Sequence, residues 1–103
     1  MSDKLNVTVA AQVAALVPRF LANRAADADK IRAGLAAADF EAIRAAGHRM
    51  KGAGGGYGFA EISRLGAALE EAALQRDAAA IAGLVANLEA YLGRIEIKFS
   101  DEQ

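Results

Sequence analysis

The chain has 103 residues, a length that suits one domain and is sufficient to bury a single hydrophobic core. It contains no cysteine, which excludes disulfides, thiolate metal sites and cysteine nucleophiles, and its single histidine argues against a zinc site built from this protein alone. The net charge of -1, without a dense basic run, indicates neither nucleic-acid binding nor attraction to an anionic membrane. Abundant alanine, one proline and few aromatic residues favour an all-α protein.

Residues 1–8 are expected to form a frayed N-terminus without the pattern of a signal peptide. No continuous apolar stretch is long enough to span a membrane, so we expect a cytoplasmic protein. A short apolar stripe follows, formed by Val9, Val13, Leu16 and Val17. Pro18 then predicts a helix boundary or kink at Val17, because the residue before a proline is disfavoured in helical geometry.

Apolar residues at helical spacing continue from Pro18 and predict a long amphipathic helix to about Ala38. Its stripe consists of Phe20, Leu21, Ala28, Ile31 and Leu35. Asp39 is the predicted N-cap of the next helix, because its carboxylate can accept hydrogen bonds from the free amides of the first turn. The inward positions of that helix are Phe40, Ile43, Gly47, Met50 and Gly54.

A run of glycines weakens the end of the second helix, and the turn is expected at residues 57–58. The third helix follows to about Arg76, with Phe59, Ile62, Leu65, Leu69 and Ala73 on its apolar stripe. Asp77 caps the last helix, whose stripe consists of Ile81, Leu84, Val85, Leu88, Leu92 and Ile95. The segment 95–99 alternates like a strand, but an isolated strand would have no partner, so we predict helix to about Lys98.

Three or four amphipathic helices with short connections, joined up and down, make an all-α, antiparallel four-helix bundle. We expect the bundle to occupy residues 9–99, with residues 100–103 as a C-terminal tail. A monomer is expected.

The most unusual stretch begins at His48 and reads HRMKGAGGGYG. Counting about 100° per residue places His48 about 130° away from the apolar face of its helix, so its side chain should face solvent. Arg44 and Lys51, one turn to either side, flank it with positive charge. Gly52 and Gly55 leave bare backbone beside it. Such a site is suited to carrying an anion.

A partner for this histidine is predicted in the third helix. His48 lies some nine residues before the expected turn and Glu70 about twelve after it, so at about 1.5 Å per residue their heights differ by only about 5 Å. A carboxylate that accepts from Nδ1–H fixes the ring tautomer and leaves Nε2 with a free and more nucleophilic lone pair. Lys51 would offset charge on the group that Nε2 attacks.

The glycine run also suggests a nucleotide-binding loop, but the order of residues argues against it. A P-loop needs its lysine after the glycines and before serine or threonine, whereas Lys51 precedes them and Phe59 follows Gly58. A dinucleotide-binding fingerprint needs a preceding strand and a glycine at the position of Tyr57.

The pattern HRMKGAGGGYGF, followed by LGAALE, resembles the histidine-containing phosphotransfer (HPt) domain. The features in register are His48, Lys51, Gly52, Gly58 and Glu70. The resemblance covers the histidine hairpin closely, and the helical pattern from about residue 9 to residue 98 is compatible with it. It implies a four-helix bundle with a short additional N-terminal helix.

The resemblance also implies a phosphocarrier in a multistep two-component phosphorelay, without kinase activity. His48 would accept a phosphoryl group at Nε2 from a receiver-domain aspartate, while Lys51 would stabilise the phosphate charge and Glu70 would orient the imidazole. The expected docking residues are Arg44, Gly52 and Gly55. The expected partners are receiver domains of a hybrid histidine kinase and of a response regulator. No cofactor is expected in this chain, because the receiver would supply magnesium.

An alternative function belongs to a different class. A helical bundle could dock a receiver domain or another protein and sequester it without chemistry, with His48 as one contact among several. A phosphotransfer assay with a receiver domain separates the two functions, because only a phosphocarrier becomes labelled.

Overall fold

Four α-helices account for most of the computed structural model, which describes residues 5–56 and 59–100. They are α1 (Val17–Ala37), α2 (Phe40–Gly56), α3 (Ala60–Leu74) and α4 (Ala78–Arg94). A strand β1 (Leu5–Ala10) and a 3-10 helix (Ala11–Leu16) precede α1, and a strand β2 (Ile95–Ser100) follows α4. Within these described ranges, no helix combines the length and the apolar character needed to cross a membrane.

The helices pack as an antiparallel bundle. Only residues 38–39 separate α1 from α2, and only residues 75–77 separate α3 from α4, so the chain must reverse direction at each connection. The first and last helices also pack on each other, which closes the bundle around one core. The predicted helical bundle is confirmed.

The core is built from the predicted apolar stripes. The largest fully buried side chains are Ile31, Ile43, Met50, Phe59, Ile62, Leu65, Leu69, Ile81, Val85 and Leu88. Every one of them belongs to a predicted stripe, and burying a side chain of this size stabilises a fold by about 1.5–3 kcal/mol. Leu16 was placed on the first stripe but is 50% exposed. It lies in the 3-10 helix, where about three residues per turn break the α-helical periodicity.

The two strands correct the prediction at both ends of the chain. They pair in parallel, with Leu5 opposite Ile95 and the pairing continuing residue by residue from there. The last helix was predicted to reach Lys98 but ends at Arg94, and the frayed start predicted for residues 1–8 overlaps β1. The alternating C-terminal pattern therefore does form a strand, because its partner comes from the opposite end of the sequence.

The start of α1 agrees with the predicted boundary. The helix begins at Val17 with Pro18 in its first turn, where a missing backbone N–H costs no helical hydrogen bond. The short additional helix implied by the family resemblance is not an α-helix within residues 5–16. The 3-10 helix Ala11–Leu16 lies between β1 and α1 instead.

Both predicted N-caps are present. Asp39 Oδ1 accepts a hydrogen bond from the amide of Ala42 at 3.1 Å, at the start of α2. Asp77 Oδ1 accepts from the amide of Ala80 at 3.1 Å, at the start of α4. Each aspartate satisfies an amide that the first helical turn leaves without a partner, which fixes where the helix begins.

Two helices are followed by left-handed residues that are not glycine. Ala38, directly after α1, has φ of 56°, and Arg76, two residues after the end of α3, has φ of 55°. The amide of Ala38 donates to Leu35 O at 3.2 Å, and that of Asp39 donates to Gly34 O at 2.8 Å. This is the Schellman arrangement, in which the left-handed position usually holds glycine because other residues are strained there.

Replacing Ala38 with glycine should therefore stabilise the bundle. Relief of the left-handed strain is worth about 1–2 kcal/mol, and the greater freedom of glycine in the unfolded chain offsets part of it, so we expect a gain of about 1 kcal/mol. Ala26→Gly, at an exposed position inside α1, is the matched control and should lose about 1 kcal/mol. Urea unfolding followed by circular dichroism measures the stability of both variants. If both lose the same free energy of unfolding, Ala38 is not strained.

Candidate functional site

The helices α2 and α3 approach each other at three buried glycines. A β-carbon on Gly47 would lie 2.7 Å from the backbone nitrogen of Glu70, and one on Gly66 would lie 2.5 Å from the backbone nitrogen of Lys51. A β-carbon on Gly54 would lie 2.6 Å from the backbone nitrogen of Ser63. Side chains next to these glycines can therefore bridge the two helices over a short distance.

His48 follows one of these glycines and points outward, as predicted. Its side chain is 63% exposed, and its Nδ1 lies 3.1 Å from Oε2 of Glu70. Because an ionised carboxylate only accepts hydrogen bonds, this contact favours the tautomer in which Nδ1 carries the hydrogen. Nε2 then keeps its lone pair. The contact predicted from the hairpin register is present.

Lys51 contacts the same carboxylate. Its Nζ lies 3.1 Å from Oε1 of Glu70, so the two oxygens of this glutamate are shared between the lysine and His48. The Glu70 side chain is 17% exposed, whereas that of Lys51 is 48% exposed and can leave for solvent or for an incoming anion. The Glu70 carboxylate therefore contacts both His48 and Lys51, the two basic residues of the predicted motif.

Arg44 lies at the edge of this cluster. Its Nη1 is 3.9 Å from Oε2 of Glu70, and its guanidinium forms a closer pair with Glu41, at 2.6 Å from Nη2 to Oε2. Hydrogen bonding to Glu41 is the main cause that raises the pKa of Arg44 above its ordinary value. The predicted cation beside His48 is present, but its nearest partner is on its own helix.

The pKa of Glu70 is lower than that of an ordinary glutamate. The hydrogen bond from Lys51 is the largest cause, and the hydrogen bond from His48 lowers the pKa further, while desolvation acts in the opposite direction. Glu70 therefore remains a carboxylate at neutral pH. That charge state is the one able to accept a hydrogen bond from Nδ1.

The glycines that follow His48 along α2 leave open space. A β-carbon on Gly52 would meet no atom within 4 Å, and one on Gly55 would meet only Ser63 Oγ, at 3.9 Å. Both residues are exposed and lie one and two turns beyond the histidine on the same side of the helix. A partner surface can come close to the imidazole there. The predicted turn at residues 57–58 lies outside the described residues.

Three contacts near this site were missed by sequence reasoning. Ser63 Oγ donates a hydrogen bond to the backbone carbonyl of Lys51, across the α2–α3 contact. Arg24 pairs with Asp27 inside the bundle, with Nε 2.9 Å from Oδ2, and Arg49 Nη2 reaches Oδ1 of Asp27 at 3.4 Å. No sequence signal predicts the last contact, because Arg49 and Asp27 lie on different helices and only their packing brings them together.

Comparison with known protein families identifies one match. The Hpt domain model matches residues 15–96, which is most of the chain and includes the whole α2–α3 pair. Searches of curated proteins and of solved structures find no significant match.

Proposed function

Since this chain belongs to the Hpt domain family, we propose that His48 accepts a phosphoryl group from a receiver-domain aspartate and passes it to a second receiver. Membership of the family implies histidine phosphotransfer in a phosphorelay. We assign the two receivers to a hybrid histidine kinase and to a response regulator in the cytoplasm. The chain acts as a stoichiometric carrier and not as a kinase.

The contact between His48 and Glu70 carries this proposal. An exposed imidazole whose Nδ1 lies 3.1 Å from a carboxylate has one nitrogen held by the protein and one nitrogen open to solvent. The held nitrogen carries the hydrogen, so the open Nε2 is the nucleophile. A surface histidine without such a partner would populate both tautomers and present either nitrogen.

The transfer step follows from this arrangement. The Nε2 lone pair attacks the phosphorus of the receiver's aspartyl phosphate, a P–N bond forms, and the P–O bond to the aspartate breaks so that its carboxylate leaves. The imidazole gains positive charge as the bond forms, and the adjacent Glu70 carboxylate stabilises that charge. Lys51 is exposed enough to turn toward the phosphoryl oxygens. The receiver would supply the magnesium ion beside its own aspartate.

The test is direct labelling. The purified chain is mixed with a receiver domain phosphorylated by acetyl phosphate in magnesium buffer, and the label on the chain is tested for stability. Phosphohistidine is labile in acid and stable in base, whereas an acyl phosphate is labile in base. If the chain binds a phosphorylated receiver but never acquires an acid-labile label, it is a sequestering module and not a carrier.

We expect Gly52→Gln to slow transfer on the order of a hundredfold, because a side chain in the open space beside His48 keeps the reacting atoms from their in-line distance. The helix should gain up to about 1 kcal/mol from losing a glycine. The matched control is Gly83→Gln in α4, where a β-carbon also meets no atom within 4 Å. Single-turnover transfer and urea unfolding measure the pair, and transfer at the wild-type rate in Gly52→Gln would place the receiver elsewhere.

We expect Glu70→Ala to weaken the preference for the imidazole tautomer that carries its hydrogen on Nδ1. Losing one hydrogen bond of about 1 kcal/mol changes the ratio of the two tautomers roughly fivefold, which the ring ¹⁵N chemical shifts report directly. Transfer should slow, since Nε2 is then protonated in a larger fraction of molecules. Glu71→Ala, on the exposed neighbour, is the control. Unchanged ring shifts in Glu70→Ala would remove this residue from the mechanism.

A further inference from the structure

The side of His48 from which a partner can arrive is restricted. Glu70 binds Nδ1 from α3, so Nε2 lies on the edge of the ring that faces away from α3. In this structure Arg44 and Lys51 lean toward the Glu70 carboxylate, although Lys51 is exposed enough to turn toward a phosphoryl group on Nε2. A partner that reaches Nε2 therefore covers the outer surface of α2 and extends toward α1.

The surface between α1 and α2 has room for such a partner. Two shallow cavities lie along it, of about 320 Å³ and about 490 Å³, and Arg49, which follows His48 in α2, lines both. Small side chains form much of the surface, namely Ala33, Ala37, Ala42, Ala45 and Ala53. Docking on alanine costs little side-chain entropy, because alanine has no rotamers to lose.

The charge on this surface is mostly positive and mostly uncompensated. Arg19 and Lys30 line the two cavities and make no ion pair or hydrogen bond with any described residue. Arg49 is 50% exposed and touches Asp27, whose side chain is 4% exposed and also paired with Arg24. The one exposed carboxylate lining the cavities is Asp39, the N-cap at the far end of α2.

Two of the cations elsewhere on the bundle have carboxylate partners, whereas Arg94 of α4 makes no ion pair with any described residue. Arg64 pairs with Glu61 within α3, and Arg32 pairs with Glu89 of α4. We call Arg19, Lys30 and Arg49 the α1–α2 cationic face. Three cations with little internal neutralisation attract negative charge over about a Debye length, which is roughly 10 Å in ordinary buffers.

We propose that the α1–α2 cationic face is the part of the docking surface that selects among receiver domains, and that its partner is a receiver with carboxylate side chains on the surface that covers α1 and α2. This inference rests on the proposed function and adds to it the kind of receiver. Charge complementarity of this kind acts mainly on the association rate and suppresses receivers that carry positive charge at the same place.

The experiment compares two charge reversals of equal size. Lys30→Glu changes the cationic face, and Arg94→Glu changes an exposed arginine that lines a separate cavity between α3 and α4 with Glu61 and Tyr91. Both are tested with isolated receiver domains phosphorylated by acetyl phosphate, using the receiver that labels the wild-type chain fastest. Circular dichroism and urea unfolding establish that each variant is folded at the assay temperature.

We expect Lys30→Glu, and independently Arg19→Glu, to lower kcat/KM for transfer about tenfold at low salt, with the difference shrinking as salt screens the charges. Arg94→Glu should stay within about twofold of the wild type. The Lys30→Glu variant should recover part of its rate with a receiver in which the acidic residue that faces position 30 is changed to lysine. Each of these results supports the cationic face.

Two results would overturn the inference, and they differ. If no receiver labels the wild-type chain, the proposed function is wrong, and so is the proposed role of the cationic face. If the wild-type chain is labelled but Lys30→Glu, Arg19→Glu and Arg94→Glu all behave alike at every salt concentration, histidine phosphotransfer stands and the cationic face does not select the receiver.

Discussion

His48→Gln should abolish acceptance of a phosphoryl group and leave the fold intact. Glutamine has no nucleophilic nitrogen lone pair, because its amide nitrogen is conjugated with the carbonyl, so no P–N bond can form. The side chain is 63% exposed and contributes little packing, so the free energy of unfolding should change by less than about 1 kcal/mol. The measurement is acid-labile, base-stable labelling by a phosphorylated receiver, together with circular dichroism.

The matched control for this variant is Glu71→Gln, an exposed substitution on α3 that leaves the imidazole in place. It should be labelled at the wild-type rate. An acid-labile label that persists in His48→Gln would contradict the assignment outright, because His48 is the only histidine in the chain.

Gly66→Val should be the most damaging single change to stability. A β-carbon there would lie 2.5 Å from the backbone nitrogen of Lys51 and 2.7 Å from the carbonyl oxygen of Gly47, and backbone atoms cannot move aside as a flexible side chain can. Forcing α2 and α3 apart should cost about 3 kcal/mol or more, a large fraction of the stability of a small domain. The midpoint of urea unfolding measures the loss.

Gly83→Val separates this effect from helix propensity. Gly83 lies in α4, where a β-carbon meets no atom within 4 Å, so the same substitution should change stability by less than about 0.5 kcal/mol. Equal stability of the two variants would mean that α2 and α3 are not held at the distance described. A folded Gly66→Val that transfers phosphate normally would show that this spacing is not needed by the His48–Glu70 pair.

The helices and the core were predictable because their signals are local. A stripe of apolar residues at helical spacing has one side that must leave water, and Ile43, Met50 and Leu69 are buried for that reason. The caps are local as well, since Asp39 and Asp77 bind amides three residues ahead. Such features depend on the chain within one or two turns and not on the rest of the fold.

The two strands, Leu5–Ala10 and Ile95–Ser100, were not predicted because their signal is not local. The segment after Arg94 fits a strand and a helix equally well by its pattern, and the choice depends on whether a partner strand exists. That partner begins at Leu5, at the other end of the sequence. Only the packing of α1 against α4, which brings the N-terminus of one beside the C-terminus of the other, makes the pairing possible.

The candidate site also has features that are local in the sequence and features that depend on the packing of the helices. The sequence by itself determined which residues belong to it, because helical periodicity places His48, Lys51 and Gly52 on one exposed side and the hairpin register brings Glu70 level with them. Only the tertiary structure decided that Lys51 and His48 share one carboxylate and that Arg49 reaches Asp27. Those contacts depend on distances between helices. These distances are set by the packing of whole surfaces, here by glycines that let α2 and α3 backbones touch, and not by spacing along the chain.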